Sequence, residues 1–131
     1  MVVEEYETVY QLVSVIEGQY DRPGNCIDAL ARSLPPGSMT GAPKKRSCEL
    51  LQELEGGKPR GLYSGVLGYF DVGGGADFSV VIRTAFRWNH EPWCVGAGGA
   101  VTALSRPEDE WEEMLTKRQR VLDVLLAPPE I

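Results

Sequence analysis

The sequence predicts an α+β fold in which helices cover one face of a mostly antiparallel sheet. Two observations carry the prediction. Three apolar, β-branched runs follow one another across short turns, at Leu62–Val72, Asp77–Trp88 and Pro92–Ala97, and such close spacing favours antiparallel neighbours. The longest stretch with helical spacing then closes the chain, from about Arg106 to Leu126. With 131 residues and 43% hydrophobic content, the chain is long enough for one domain with a core.

Thr8–Ile16, TVYQLVSVI, is rich in β-branched and apolar residues without helical spacing and reads as a strand buried on much of both faces. GQYDRPGN turns the chain, and Asn25–Leu34 reads as a short helix. The loop PPGSMTGAPKKRS, residues 35–47, feeds a helix from about Ala42 to Glu55. Thr40 is the expected cap, Pro43 suits the first turn, and Leu50, Leu51 and Leu54 supply the apolar stripe. Lys44, Lys45 and Arg46 add positive charge to an end that already carries free N–H groups, an arrangement that suits an anion as well as a solvated turn. Gly56-Gly57 ends that helix. Gly73-Gly74-Gly75 and Asn89-His90-Glu91 separate the three strand candidates, and Ser105-Arg106-Pro107-Glu108 matches a capping box for the last helix. The Pro128-Pro129 tail, 128–131, reads as disordered. Val80, Val81, Ile82 and Ala85 form a nearly continuous apolar run, which calls for cover on both faces of the sheet. It predicts an exposed apolar sheet face and self-association or a further piece of fold to cover it.

The net charge of −6 argues against a nucleic-acid or anionic-membrane surface. Any anion site is therefore a local pocket. Cys26, Cys48 and Cys94 are widely spaced and odd in number, which fits neither a zinc site nor a disulfide framework. An acidic N-terminus and the lack of a membrane-length apolar run predict a cytoplasmic protein.

Three features carry chemistry. Glu110, Glu113 and Lys117 fall within a narrow arc of the last helix, beside a stripe of Trp111, Met114, Leu115, Val121, Leu122 and Leu125. The two carboxylates suit Mg²⁺, and the same spacing suits a solvated Glu113–Lys117 ion pair. Arg83 lies inside VVIRTAF, where a lone cation is costly unless it meets an anion or carbonyls; a strand's polar face is the plainer home for it. Gly96, Gly98 and Gly99 in VGAGGAV allow close backbone approach to a small anion, or make a bulge. No P-loop or dinucleotide fingerprint is present, and no Ser or Cys has a visible base partner.

Taken together, PPGSMTGAPKKRS, YSGVLGYFD, DFSVVIRTAF, GAGGAVTALS and PEDEWEEMLTK resemble the chorismate-utilising enzymes in order and spacing. That family includes the aminodeoxychorismate, anthranilate, isochorismate and salicylate synthases. The resemblance implies half of a two-sheet chorismate-binding fold, with residues 1–127 as the C-terminal portion of the domain and 128–131 as a tail. It also implies that Thr40 is a pocket residue, that Tyr69 and Arg83 hold the enolpyruvyl carboxylate, and that Gly98, Gly99 and Lys117 hold the ring carboxylate. Glu110 and Glu113 would bind Mg²⁺. The lysine that acts as nucleophile in the aminodeoxychorismate synthases lies in the preceding half of the domain, which this chain does not match, so catalysis is expected to need that half. Gln11 in YQLVS stands where many members carry a histidine, and Gln cannot exchange protons near neutral pH. With GAGGAVTALS and EWEEM, this form is most similar to the eukaryotic, especially fungal, aminodeoxychorismate synthases of para-aminobenzoate and folate synthesis, which take ammonia from a glutamine amidotransferase. Anthranilate synthase component I, of tryptophan synthesis, is the nearer alternative, and a non-catalytic binding or assembly module the alternative of another kind.

Overall fold

A computed structural model describes residues 1–20 and 26–127. Asn25, most of the first expected turn and the 128–131 tail lie outside the described residues. Strands β1 (Val2–Glu5) and β2 (Tyr10–Val13) form an antiparallel hairpin with Val3 opposite Leu12 and Glu4 opposite Gln11. The expected strand Thr8–Ile16 is thus shorter, and the acidic N-terminal segment pairs with it. Neither strand is buried: Val2, Val3, Tyr10 and Leu12 are all exposed.

Helix α1 (Cys26–Ser33) leads to a single turn, α2 (Gly37–Thr40), and then to α3 (Lys44–Leu54), which packs against α2. Thr40 does not cap α3. Pro43 holds the N-cap position with no side-chain bond, and the Thr40 hydroxyl donates back to the Pro36 carbonyl at 3.2 Å, within the α2 turn. A hydroxyl with an acceptor one turn behind it satisfies that carbonyl instead of the next helix's N–H groups. The end of α3 is as expected. Gly56 and Gly57 take φ of 64° and 68°, and their N–H groups donate to Glu53 O and Gln52 O at 3.1 and 2.9 Å. Those are the two bonds of a Schellman closure, which needs a left-handed residue that glycine supplies without strain.

Strands β3 (Val66–Phe70) and β4 (Ala76–Val80) form the second hairpin, with Gly68 opposite Phe78 and Phe70 opposite Ala76. A side chain on Gly68 would collide with the Asp77 carbonyl and the Phe78 ring. Phe70 and Phe78 meet edge to face with ring centroids 5.0 Å apart. The pairing extends past the strand ends, since Ser64 N–H donates to Val81 O at 3.0 Å and Val81 N–H to Gly65 O at 2.9 Å. Among the described residues, Ser64 and Val81 are the buried ones, each 7% exposed.

The expected strand Asp77–Trp88 is broken in two. Ile82 N–H turns back to Val80 O, and Arg83 sits at φ 52°, so the chain leaves β4 and resumes as β5 (Ala85–Phe86). Strand β5 pairs antiparallel with β6 (Cys94–Val95) across the Trp88–Glu91 turn. The break also changes the burial of the apolar run: Val81 is buried, Val80 and Ala85 are half-buried, and Ile82 is exposed.

Helix α4 (Pro107–Leu126) packs against β6. Pro107 occupies the first turn, and Arg106, with no side-chain bond, holds the cap. The expected capping box is absent: Arg106, not Ser105, holds the N-cap, and the Ser105 hydroxyl donates to Glu110 Oε1 at 2.5 Å while its oxygen accepts from the Thr102 N–H at 3.0 Å. Met114, Leu115, Val121, Leu122 and Leu125 are half-buried, whereas Trp111, expected in the same stripe, is exposed. The α+β class and the antiparallel pairing are as predicted. In place of one sheet, the described residues form three two-stranded ones. No helix among them is long and apolar enough to cross a membrane.

Candidate functional site

A cavity of about 510 Å³ opens between the α2 turn, the segment after β4 and the segment after β6. Each wall follows from a local break in regular structure. Thr40 ends α2, Arg83 holds the left-handed turn that separates β4 from β5, and Gly98 and Gly99 follow β6 without side chains. Lys117 reaches the cavity from the third turn of α4, its Nζ 3.3 Å from Gly98 O. Five of the residues singled out in the sequence therefore line one open cavity: Thr40, Arg83, Gly98, Gly99 and Lys117.

Tyr69 is elsewhere. It points out from β3, is 62% exposed, and lines a separate shallow depression at the hairpin tip with Asp71 and Gly75. The tyrosine in the cavity is Tyr63, whose ring lies so close over Gly96 that a Cβ there would overlap it; a Cβ on Gly98 would come within 2.9 Å of its hydroxyl. Gln11 lies on the exposed β1–β2 hairpin, its amide donating to Leu12 O at 3.2 Å.

The cavity holds two arginines in different states. Arg60 makes four hydrogen bonds: Nε and Nη2 donate to the two Glu55 oxygens, and Nη1 donates to Met39 O at 3.1 Å and Ser64 Oγ at 2.8 Å. The paired guanidinium holds the Glu55 carboxyl below its ordinary range, and the carboxylate raises Arg60 in return. Arg83 has no hydrogen bond or ion pair among the described residues. Neither Arg60 nor Tyr63 stood out in the sequence. Both come from KPRGLYSG, whose second half opens the expected strand Leu62–Val72; the strand starts only at Val66, and nothing local shows that the preceding side chains turn inward.

Next to Gly99 stand two carboxylates. Glu110 Oε1 accepts from Ser105, while Glu110 Oε2 is buried with no partner. A Cβ on Gly99 would lie 2.8 Å from that oxygen and 3.9 Å from Glu113 Oε2, so only glycine leaves the space between them open. Glu113 Oε1 forms an ion pair with Lys117. An unpaired buried carboxylate oxygen is costly and calls for a cation or a donor. Among the described residues no three His, Cys, Asp or Glu side chains gather as a metal-binding group. Two carboxylates nevertheless suit Mg²⁺, which keeps several waters and takes only one or two of them from a protein.

The chain is 53% identical to a putative aminodeoxychorismate synthase of Schizosaccharomyces pombe over 92% of its length. It is 50% identical to the aminodeoxychorismate synthase of Streptomyces pristinaespiralis over 94% of its length. In both cases it spans 17% of the relative. Identity to anthranilate synthase component 1 of Mycobacterium tuberculosis is 41% over 95% of the chain, which spans 24% of that protein. The profile of the chorismate binding enzymes matches residues 1–123, and the chain belongs to that family.

Proposed function

We propose that this chain forms the C-terminal part of the chorismate site of an aminodeoxychorismate synthase. In that reaction ammonia replaces the ring hydroxyl of chorismate and water leaves. The observation that carries the reading is the Arg83 guanidinium, without a partner among the described residues, in a cavity it shares with Thr40, Tyr63, the Gly98-Gly99 backbone and Lys117. A planar, permanently charged fork of donors suits an anion with paired oxygens, a carboxylate or a phosphate. Chorismate carries two carboxylates. In this reading Arg83 takes the enolpyruvyl one, and the Gly98-Gly99 backbone with Lys117 takes the one on the ring.

Tyr63, inside the cavity, is better placed than Tyr69 to offer a phenol beside Arg83. Glu110 and Glu113 would hold Mg²⁺, which supplies positive charge to a bound carboxylate. The unpartnered Glu110 oxygen and the space above Gly99 support that role. The Lys117–Glu113 ion pair then keeps the ammonium close to the same carboxylate. A glutamine amidotransferase as ammonia source and the N-terminal half of the domain as the carrier of the nucleophile belong to the same proposal. So does a cytoplasmic location.

Identity favours this product over anthranilate, at 53% and 50% against 41%. The test is product analysis. The chain, completed to the length of its relatives and given chorismate, Mg²⁺ and ammonia, is expected to release 4-amino-4-deoxychorismate. Anthranilate formed without a lyase would overturn the assignment.

A further inference from the structure

We propose that Arg60 is a positioning residue that sets the spacing between the two cavity walls, the one bearing Thr40 and the one bearing Arg83. The proposal rests on the chorismate reading above. Four donated hydrogen bonds tie three segments to one guanidinium: Glu55 at the cap of α3, the Met39 carbonyl in α2, and the Ser64 hydroxyl before β3. Met39 immediately precedes Thr40. Ser64 leads to the other wall, because its N–H donates to Val81 O at 3.0 Å, two residues before Arg83. Ser64 and Val81 are also the buried pair among the described residues, and Ser64 is held at φ 73°. A β-substituted residue in that region is strained and stays there only when its surroundings insist. The Arg60 bond to its hydroxyl is one such constraint.

With those donors committed, Arg60 has little to offer a ligand directly, although it borders the cavity. Its effect runs through the placement of Thr40 and Arg83. A displacement of about 1 Å in a binding group is enough to change substrate affinity severalfold or more. Lysine keeps the charge, but its three donors radiate from one nitrogen and cannot reproduce the fork in which Nε and Nη2 meet one carboxylate while Nη1 faces a carbonyl and a hydroxyl.

The experiment compares Arg60→Lys, Arg83→Lys, the double variant and Ser64→Ala in the chain completed to the length of its relatives. Chorismate KM, kcat and the unfolding midpoint are measured for each. Arg60→Lys is expected to raise KM about tenfold with kcat within about twofold, as lost positioning of a binding group should. The double variant should fall short of the product of the two single effects, because a misplaced Arg83 has less binding to lose. Ser64→Ala, which leaves both arginines intact, should raise KM in the same direction and by less.

A lowered unfolding midpoint with unchanged KM, or strictly multiplicative effects in the double variant, would overturn the proposal. Should Arg60→Lys fail to fold, an unchanged KM in Ser64→Ala overturns it and a raised KM supports it. If Arg83→Lys leaves KM unchanged, the chorismate reading fails and this role falls with it. If Arg83→Lys raises KM while Arg60→Lys does not, the Arg60 role alone is overturned.

Discussion

Arg60 and Arg83 border the same cavity, yet one guanidinium is enclosed by four protein hydrogen bonds and the other has none among the described residues. Their backbones show the same division. Arg60 lies in a loop between a closed helix end and a paired strand, whereas Arg83 is itself the break between two strands, at φ 52°. A left-handed non-glycine residue costs free energy and is a recurrent mark of functional positions. A guanidinium bonded through all three of its nitrogens, by contrast, has most of its donors matched before any ligand arrives. The pair teaches that charge in a cavity identifies a binding group only when its hydrogen-bonding capacity is still open.

The largest expected effect comes from removing the open cation's geometry. Arg83→Lys should weaken chorismate binding by roughly 1–3 kcal/mol, the scale of a charged hydrogen bond, with the unfolding midpoint nearly unchanged. Equilibrium titration of the completed domain measures it; parental affinity would remove the distinction between the two arginines. Next is Glu113→Gln, which takes one charge from the carboxylate pair. It should raise the Mg²⁺ concentration needed for half-maximal binding severalfold, with recovery at higher Mg²⁺. A Mg²⁺ titration at saturating chorismate that overlays the parent's would leave Glu113 only its ion pair with Lys117.

A smaller effect separates the two tyrosines. Tyr63→Phe should cost about 0.5–1.5 kcal/mol of chorismate binding, one neutral hydrogen bond, while Tyr69→Phe should be silent. The reverse order would move the substrate toward the β3–β4 tip. The smallest effect belongs to acid. The Glu55 carboxyl is depressed in the folded chain by its hydrogen bonds from Arg60. Such a group stabilises the fold above its unfolded pKa of about 4.3 and loses that contribution as the pH falls through its lower folded value. Unfolding midpoints measured below about pH 4.3 should therefore decline less steeply in Glu55→Gln than in the parent. Parallel declines would show that the Arg60 clamp does not depend on this charge.

Local chemistry made part of this molecule readable. Gly56-Gly57 sits where a left-handed closure must be, and the twenty residues of α4 repeat their apolar positions at helical spacing, so both were found within a residue or two. The misses share a cause. Nothing in VVIRTAF marks a left-handed turn, since the usual glycine is absent and the apolar run reads as continuous strand; the turn is imposed by pairing of Val81 with Ser64 and Gly65. Val2–Glu5 has no period of its own and becomes a strand only by pairing with Tyr10–Val13. Thr40 and Ser105 are good caps by type, but Pro43 and Arg106 hold the N-cap positions, and the two hydroxyls bond to Pro36 O and Glu110 instead. Five of the six substrate-site positions implied by family resemblance fall in one cavity, and the sixth, Tyr69, lies on the strand that follows Tyr63.

The buried pair Ser64 and Val81 also fixes where the backbone should resist solvent longest. Their two N–H groups are the interlocked bonds of the β3–β4 ladder's inner end, while the β1–β2 hairpin keeps its backbone pairs beneath exposed side chains. Isolated two-stranded ribbons open readily in water. Deuterium uptake along this chain should accordingly run as a gradient, fast at Val2–Val13 and slowest at residues 64 and 81, so that the amides protected longest are those that connect Arg60 to Arg83.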